Sequence, residues 1–208
     1  MPHPSCPVRL GPTTVACALA AWASQVAAAP VTLTVSDASG TPLSHAVVSI
    51  EVTGARALAA PGTQAEMGQR GRSFVPTLLV VQAGTAVNFP NFDTVRHHVY
   101  SFSPTKPFEI KLYAGTPAAP IVFDKPRTAV LGCNIHDRMA GFIHVVNTPY
   151  FATTRADGSA TLDVPAGEHT VQVWHAMLGD KQAPVRQAIK VSATGAGLSV
   201  RLNGPGKP

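Results

Sequence analysis

The sequence has few charged residues, few aromatic residues and few cysteines. Only 13% of its 208 residues are charged and 6% are aromatic, whereas 45% are hydrophobic. A disordered chain would be more charged and less hydrophobic, a coiled coil would be rich in Glu and Lys, and a disulfide scaffold would need more than three cysteines. With 19 prolines and 17 glycines, the composition indicates a loop-rich globular protein.

The N-terminal segment is also poor in charge. Residues 1–28 contain no acidic residue and one basic residue, Arg9, followed by a short apolar stretch and small residues up to Ala28. This pattern is typical of a secretory signal peptide, so we predict cleavage after Ala28 and a periplasmic or otherwise secreted protein. A lipidated Cys17 is the alternative interpretation of this segment. No later run approaches the roughly 20 apolar residues that a membrane span needs, so we expect no membrane span.

Removal of this segment takes two of the three cysteines with it and leaves Cys133. An exported chain with one thiol forms no internal disulfide. Such a thiol is buried and inert, paired between chains, or bound to something.

The charge balance says little about partners. Without Arg9 the formal net charge falls from +5 to +4. No run of Lys or Arg is interleaved with aromatic residues, so we expect no nucleic-acid binding. A mildly basic surface favours an acidic protein partner, and the oligomeric state stays open.

Most of the mature chain alternates apolar and polar residues over short runs that Pro and Gly separate. This pattern predicts β-strands in a sandwich or barrel, and no window carries a helical stripe. Residues 54–72 lack the pattern and are predicted to form a linker or long loop. The predicted strands are 31–35, 46–52, 77–81, 85–89, 97–102, 108–113, 121–123, 128–131, 141–146, 161–164, 169–174, 188–191 and 198–202.

Potential metal ligands concentrate around Cys133. Cys133, His136 and Met139 follow one another at intervals of three residues between two predicted strands. A continuous strand would place Cys133 and His136 on opposite faces, so the segment must be a tight loop if these side chains are to converge. The strand that begins at His97 and His98 offers a further imidazole.

The donor types favour copper. Two imidazoles, a thiolate and a weak axial thioether form the blue-copper arrangement. Zinc is expected with more thiolates or with a carboxylate, and Ca²⁺ and Mg²⁺ require oxygen ligands.

These residues resemble those of a known family. Residues 80–89 (VVQAGTAVNF), the sequence His97-His98-Val99 and the loop Cys133-x-x-His136-x-x-Met139 are similar to the cupredoxins, the plastocyanin-like and amicyanin-like blue copper proteins. The resemblance covers roughly residues 66–146 and implies a cupredoxin-like Greek-key β-sandwich. It also implies that one type 1 copper is held by His97, Cys133, His136 and Met139.

The chain departs from this family at His98. The family usually has Asn after the first ligand histidine, and that Asn supports the cysteine loop through a hydrogen bond. The support of the thiolate and the redox potential are therefore open here. Strand alternation favours His97 as the ligand because it shares a face with Val99, and His98 is the alternative.

The flanking segments resemble a carboxypeptidase regulatory-like, transthyretin-like β-sandwich, with turns such as Asp157-Gly158 between alternating runs. The predicted domains are the signal peptide at 1–28, the first strands of a flanking sandwich at 29–60, the copper domain at 61–147 and the rest of the flanking sandwich at 148–208. Strands added directly to the cupredoxin sheet are the alternative.

We therefore expect an electron carrier and no enzyme, because the ligand set leaves no position for substrate and no catalytic group assembles elsewhere. A redox protein partner is expected to approach His136 across Ile135, Ala140 and Phe142. His144 is predicted to be structural. The alternatives are a copper-binding or copper-delivery module without redox turnover, and a structural adhesion module.

Overall fold

The computed structural model describes residues 28–136 and 138–204. The predicted signal peptide lies outside this part of the chain except for Ala28. The described residues form seventeen β-strands and one short 3₁₀-helix, so the predicted all-β class is confirmed. None of the helices described is long and apolar enough to cross a membrane.

The elements follow one another along the chain without a long α-helical segment in the described part. In chain order they are β1 (Ala28–Asp37), β2 (Val47–Glu51), β3 (Gln64–Glu66), β4 (Gly68–Arg70), β5 (Ser73–Val75), β6 (Leu78–Gln82), β7 (Thr85–Asn88), β8 (His97–Ser101), β9 (Phe108–Tyr113), β10 (Ile121–Phe123), β11 (Arg127–Gly132), β12 (Ala140–Val146), β13 (Phe151–Thr153), β14 (Ser159–Pro165), β15 (Gly167–Trp174), the 3₁₀-helix Ala176–Leu178, β16 (Val185–Val191) and β17 (Ala196–Leu202).

Two sheets are built from the two ends of the chain. β1 lies between β14 and β17, antiparallel to β14 and parallel to β17. The second sheet has the order β13–β2–β15–β16. Along β1 the apolar residues Val31, Leu33 and Val35 are buried while the residues between them are exposed, because successive side chains of a strand point to opposite faces.

The buried apolar residues of these sheets form a cluster that we call the flanking core. It consists of Ala29, Val31, Leu33, Val35, Ala46, Val47, Val48, Ile50, Val146, Ala160, Val164, Val171, Val173, Trp174, Leu178, Ile189, Val191, Val200 and Leu202.

The middle of the chain forms a five-stranded sheet in the order β6–β12–β11–β8–β9, a three-stranded sheet in the order β10–β7–β3, and the hairpin β4–β5. Their buried residues form a second cluster, the central core. It consists of Met67, Phe74, Val81, Ala83, Val87, Phe89, Val99, Phe123, Ala129, Leu131, Cys133, Met139, Ile143 and Val145.

In the described residues, no sheet combines strands from the flanking segments with strands from the middle of the chain. The two ends of the chain contribute nearly all of the flanking core, and residues 67–145 supply the central core. The domain boundaries and the transthyretin-like character of the flanking sheets stay predictions.

The interpretation of residues 54–72 as a linker was wrong in part. β3 pairs in parallel with β7, and β4 pairs with β5 in a hairpin whose turn residues are Gly71 and Arg72. These three-residue strands carry polar residues and glycine without an alternating apolar pattern. β3 depends on the distant strand β7, and the hairpin β4–β5 is too short to show a pattern, so the local sequence indicated neither. The short strand β13 was missed for the same reason.

β12 contributes side chains to both the central core and the packing against the flanking core. Ile143 and Val145 belong to the central core, whereas Phe142 packs against the flanking core. His144, on the same face as Phe142, stacks on Trp174 with ring centroids 4.7 Å apart, and its Nδ1 lies 2.9 Å from the Thr128 hydroxyl. Burial lowers the pKa of His144 to about 4. Its structural role was expected from the sequence, and it lies outside the candidate metal centre described below.

The buried imidazole predicts a pH-dependent stability. The pKa of His144 is about 4 when folded and 6.5 in its unperturbed state, so between these values the unfolded chain binds the proton more readily. Stability is therefore lost as the pH falls from 6.5 towards 4. Urea unfolding of the copper-free protein should show His144 contributing about 2–3 kcal/mol of destabilisation between pH 7 and pH 4.5.

The variant His144→Gln, although less stable at pH 7, should show a correspondingly smaller loss over this pH range. Thr32→Ser, a substitution at an exposed residue that does not titrate, should leave the pH dependence as in the unsubstituted protein. An equal pH dependence in His144→Gln and the unsubstituted protein would contradict this assignment.

Candidate metal centre

Three potential ligands meet at one end of the five-stranded sheet. One ligand atom from each of His97, Cys133 and His136 lies within 4.8 Å of the other two. The Cys133 sulfur is 3.8 Å from Nδ1 of His97 and 4.0 Å from Nδ1 of His136. The two imidazole centroids are 5.1 Å apart. Both Nδ1 atoms therefore face the thiol.

Strand pairing brings these residues together. β8 and β11 are antiparallel neighbours, and Tyr100 lies opposite Gly132. His97 is the first residue of β8 and Cys133 directly follows β11. The beginning of one antiparallel strand lies beside the end of its neighbour, so the two side chains approach each other although 36 residues separate them.

The cysteine loop returns the chain tightly from β11 to β12. The Met139 N–H donates to the His136 carbonyl oxygen at 2.8 Å. Met139 is 2% exposed and lies in the central core together with Cys133. The loop thus has the tight form that the spacing of its potential ligands required.

The centre is closed to solvent except on one side. His97 is fully buried and Cys133 is 4% exposed, whereas His136 is partly exposed. Water is kept from the thiol, and the edge of His136 is the accessible part of the centre.

The chemistry of the donors fits copper. The cluster supplies two imidazoles and one thiol, with a buried thioether in the same core. These are the donors of a type 1 copper site, in which a thiolate and two imidazoles lie in a plane with a weak axial thioether. No carboxylate belongs to the cluster among the described residues, which disfavours the hard cations.

His98 is directed away from the cluster. Its Nδ1 accepts a hydrogen bond from the Asn134 side chain at 3.1 Å, and its Nε2 lies 2.9 Å from a Glu109 carboxylate oxygen. The bond between His98 and Asn134 joins β8 to the cysteine loop. The sequence left open how this loop is supported, because His98 replaces the Asn that is usual in the cupredoxins. In this structure His98 and Asn134 provide the support.

Sequence reasoning missed Asp93. Its carboxylate lies 2.8 Å from Nε2 of His97, on the side of the ring opposite Cys133. The backbone N–H of Arg72 and the hydrogen bond to His97 lower the pKa of Asp93 to about 2. The available signal was an acidic residue four positions before His97. Spacing within a loop, however, does not determine the direction in which a side chain points.

The expected surface patch needs one correction. Ile135 is 49% exposed and Ala140 is exposed. Phe142, by contrast, packs edge-on against Trp174 with centroids 5.7 Å apart. It lies on the face of β12 that is covered by the flanking core, so it is not part of the surface near His136.

Gly132 provides space beside the cysteine. A Cβ atom at this position would lie 2.5 Å from Cζ and 2.6 Å from the hydroxyl oxygen of Tyr100. The Tyr100 ring therefore occupies the place where a side chain preceding Cys133 would be. Only glycine allows this ring to lie so close to the backbone of β11.

We predict that Gly132→Ala destabilises the copper-free protein by about 1–3 kcal/mol, because the methyl group displaces the Tyr100 ring. Urea unfolding measures the effect. In a Tyr100→Ala background the same substitution should cost much less. Gly197→Ala is the control because its nearest atom would be 4.0 Å away; equal effects of the two glycine substitutions would contradict the steric explanation.

No family model and no curated protein matches the chain. Among solved structures, a purple cupredoxin from Nitrosopumilus maritimus is 20% identical, with a TM-score of 0.34, and the match covers 40% of this chain and 98% of that one. Amicyanin from Paracoccus versutus is 19% identical, with a TM-score of 0.34, and the match covers 47% and 97% of the two chains.

A copper-containing nitrite reductase from Thermus scotoductus is 29% identical, with a TM-score of 0.37. That match covers 46% of this chain but only 24% of the reductase. These three solved structures are thus two cupredoxins and a copper-containing nitrite reductase, and each similarity covers less than half of this chain.

Proposed function

We propose that this protein is an exported type 1 copper protein that carries single electrons between periplasmic redox partners. The observation that carries the proposal is the cluster of His97, Cys133 and His136, whose ligand atoms lie within 4.8 Å of one another. Export and periplasmic location are supported by the signal-peptide pattern of residues 1–28.

In this proposal each potential ligand has a separate role. Cys133 would supply a thiolate to the copper, His97 and His136 would supply imidazoles, and Met139 would supply a weakly held thioether. Bound copper supplies a one-electron couple. The three side chains converge on one point, and one ligand arrangement that suits both oxidation states would leave little to move when an electron is transferred.

Burial favours electron transfer over catalysis. The fully buried His97 and the nearly buried Cys133 keep substrate and water away from the thiolate side of the centre. An enzyme acting at the metal would need an open coordination position, and this ligand set fills the positions that type 1 copper uses. The partly exposed His136 gives an electron a short path to a partner.

The surroundings of His136 support an acidic redox partner. Ile135 is half exposed and provides an apolar contact beside the ligand. Arg138 in the same loop and Arg72 and Arg96 near Asp93 are exposed. An apolar contact with a cation in the same loop fits a partner that carries acidic residues at its own docking site.

We expect the purified protein to turn intensely blue on addition of Cu(II) and to bleach reversibly with ascorbate. Cys133→Ser and His97→Ala should lose the colour because each removes one of the three converging donors. His98→Ala is the matched control and should remain blue, since His98 is directed towards Asn134 and Glu109. Visible absorption measures all four proteins.

A colourless protein, or a colour that survives Cys133→Ser, would overturn the proposal. Tight Cu(I) binding without a reversible Cu(II) state would instead favour copper delivery. If His98→Ala lost the colour and His97→Ala kept it, His98 and not His97 would be the copper ligand.

We predict that Met139→Leu keeps the copper and the colour but raises the reduction potential, because the axial thioether donates weakly to Cu(II). A redox titration should show the ratio of Cu(I) to Cu(II) rising about tenfold at fixed potential, which is ~59 mV for one electron. Met67→Leu, at a fully buried methionine of the same central core, should leave the potential unchanged. Loss of the metal in Met139→Leu would contradict the axial assignment.

A further inference from the structure

Asp93 and Cys133 lie on opposite sides of the His97 ring. One Asp93 oxygen is 2.8 Å from Nε2, and the Cys133 sulfur is 3.8 Å from Nδ1. An ionised carboxylate only accepts hydrogen bonds, so Nε2 must carry the proton that joins them. The lone pair of the neutral ring is then on Nδ1 and faces the thiol. The carboxylate thus selects the tautomer that a metal at this centre requires.

The carboxylate is itself held in place by the backbone. One oxygen accepts the N–H of Gly71 at 2.6 Å, and the other accepts the N–H of Arg72 at 2.9 Å. The N–H of Asp93 donates to the side chain of Asn91 at 2.9 Å. His97 is therefore oriented by a group whose own position is fixed by three hydrogen bonds.

The turn that binds Asp93 has an unusual backbone. Gly71 and Arg72 both have positive φ values, 59° and 57°. Such values suit the two-residue turn of a β-hairpin, but they are uncommon for a residue with a side chain. Both N–H groups of this turn point at the carboxylate. The hairpin β4–β5 therefore connects to His97 through Asp93.

The negative charge of Asp93 is not neutralised by a basic side chain. Among the described residues, no Lys or Arg side chain lies within ion-pair distance of it, and its ion-pair contact is with His97. The Asp93 side chain is 14% exposed and His97 is fully buried. The carboxylate therefore lies near the surface, and only the fully buried His97 ring separates it from the metal centre.

We infer that Asp93 is a positioning residue of the copper centre: it fixes His97 as an Nδ1 ligand and its charge stabilises Cu(II) over Cu(I). The inference rests on the proposed function. A carboxylate that accepts the second N–H of a ligand imidazole makes the imidazole a stronger donor, and the more highly charged oxidation state benefits more.

Asp93→Asn and Asp93→Ala separate charge from orientation. The amide oxygen of Asn still accepts from Nε2 and from the Arg72 N–H, and the loss of the Gly71 bond leaves two of the three bonds that fix residue 93, so Asp93→Asn should stay blue. Its ratio of Cu(I) to Cu(II) at fixed potential should rise about tenfold, which is ~59 mV for one electron. Asp93→Ala removes the hydrogen bond as well and should lower the affinity for Cu(II) by roughly 10–100-fold.

Asp37→Asn is the matched control. Asp37 also accepts two backbone N–H groups of a turn, those of Ser39 and Thr41, but it lies at the end of β1 in the flanking sheets. The substitution changes the net charge by the same amount and should leave the potential and the copper affinity unchanged.

A second measurement does not depend on copper. Nitrogen NMR of the imidazoles in the copper-free protein should show His97 protonated at Nε2 in the unsubstituted protein and in Asp37→Asn. In Asp93→Ala the two tautomers should mix. The NMR measurement still tests the positioning role if Asp93→Ala binds too little copper for a potential to be measured.

The outcomes distinguish the two proposals. If the unsubstituted protein is not a reversible blue copper protein, the proposed function fails. If it is, but Asp93→Asn has the same potential as Asp37→Asn or a lower one, the charge effect is wrong. If Asp93→Ala retains both the Nε2 tautomer and the full copper affinity, the positioning role is wrong.

Discussion

The pairing of Tyr100 with Gly132 is the contact on which the metal centre depends. It sets the register between β8 and β11, and that register brings His97 beside Cys133. A shift of one residue would turn the side chains of one strand to the opposite face and would separate the imidazole from the thiol. Because the Tyr100 ring fills the space beside Gly132, the packing and the backbone hydrogen bonds favour the same register.

β12 connects this centre to the rest of the protein. It continues directly from the cysteine loop, its odd-numbered residues Ile143 and Val145 enter the central core, and Phe142 and His144 pack on Trp174. A strand that is covered on both faces cannot shift without disturbing two cores. The flanking sheets therefore act as a support behind the strand that ends the metal-binding loop.

The sequence predicted those parts of the structure that depend on local periodicity. The alternation of His97 and Val99 indicated which histidine faces inwards, and the spacing from Cys133 to Met139 indicated a tight loop. Asp93 was not found because a loop has no period from which the direction of a side chain follows. Phe142 was assigned to the surface because an apolar run does not show that both faces of a strand are covered. The hairpin at Gly71 and Arg72 lacked any apolar pattern.

The topology of the flanking sheets also has a consequence for the order of folding. β1 pairs in parallel with β17, and the hydroxyl groups of Thr34 and Ser199 lie 2.8 Å apart across a separation of 165 residues. Contacts between such distant residues form slowly because a long loop must close first. The flanking core can close only after the C-terminal strand has left the ribosome, whereas the central core is complete about 55 residues earlier in synthesis, at Val145. The central part of the chain, which holds the candidate metal centre, is therefore able to pack before the flanking sheet has received its last strand, β17.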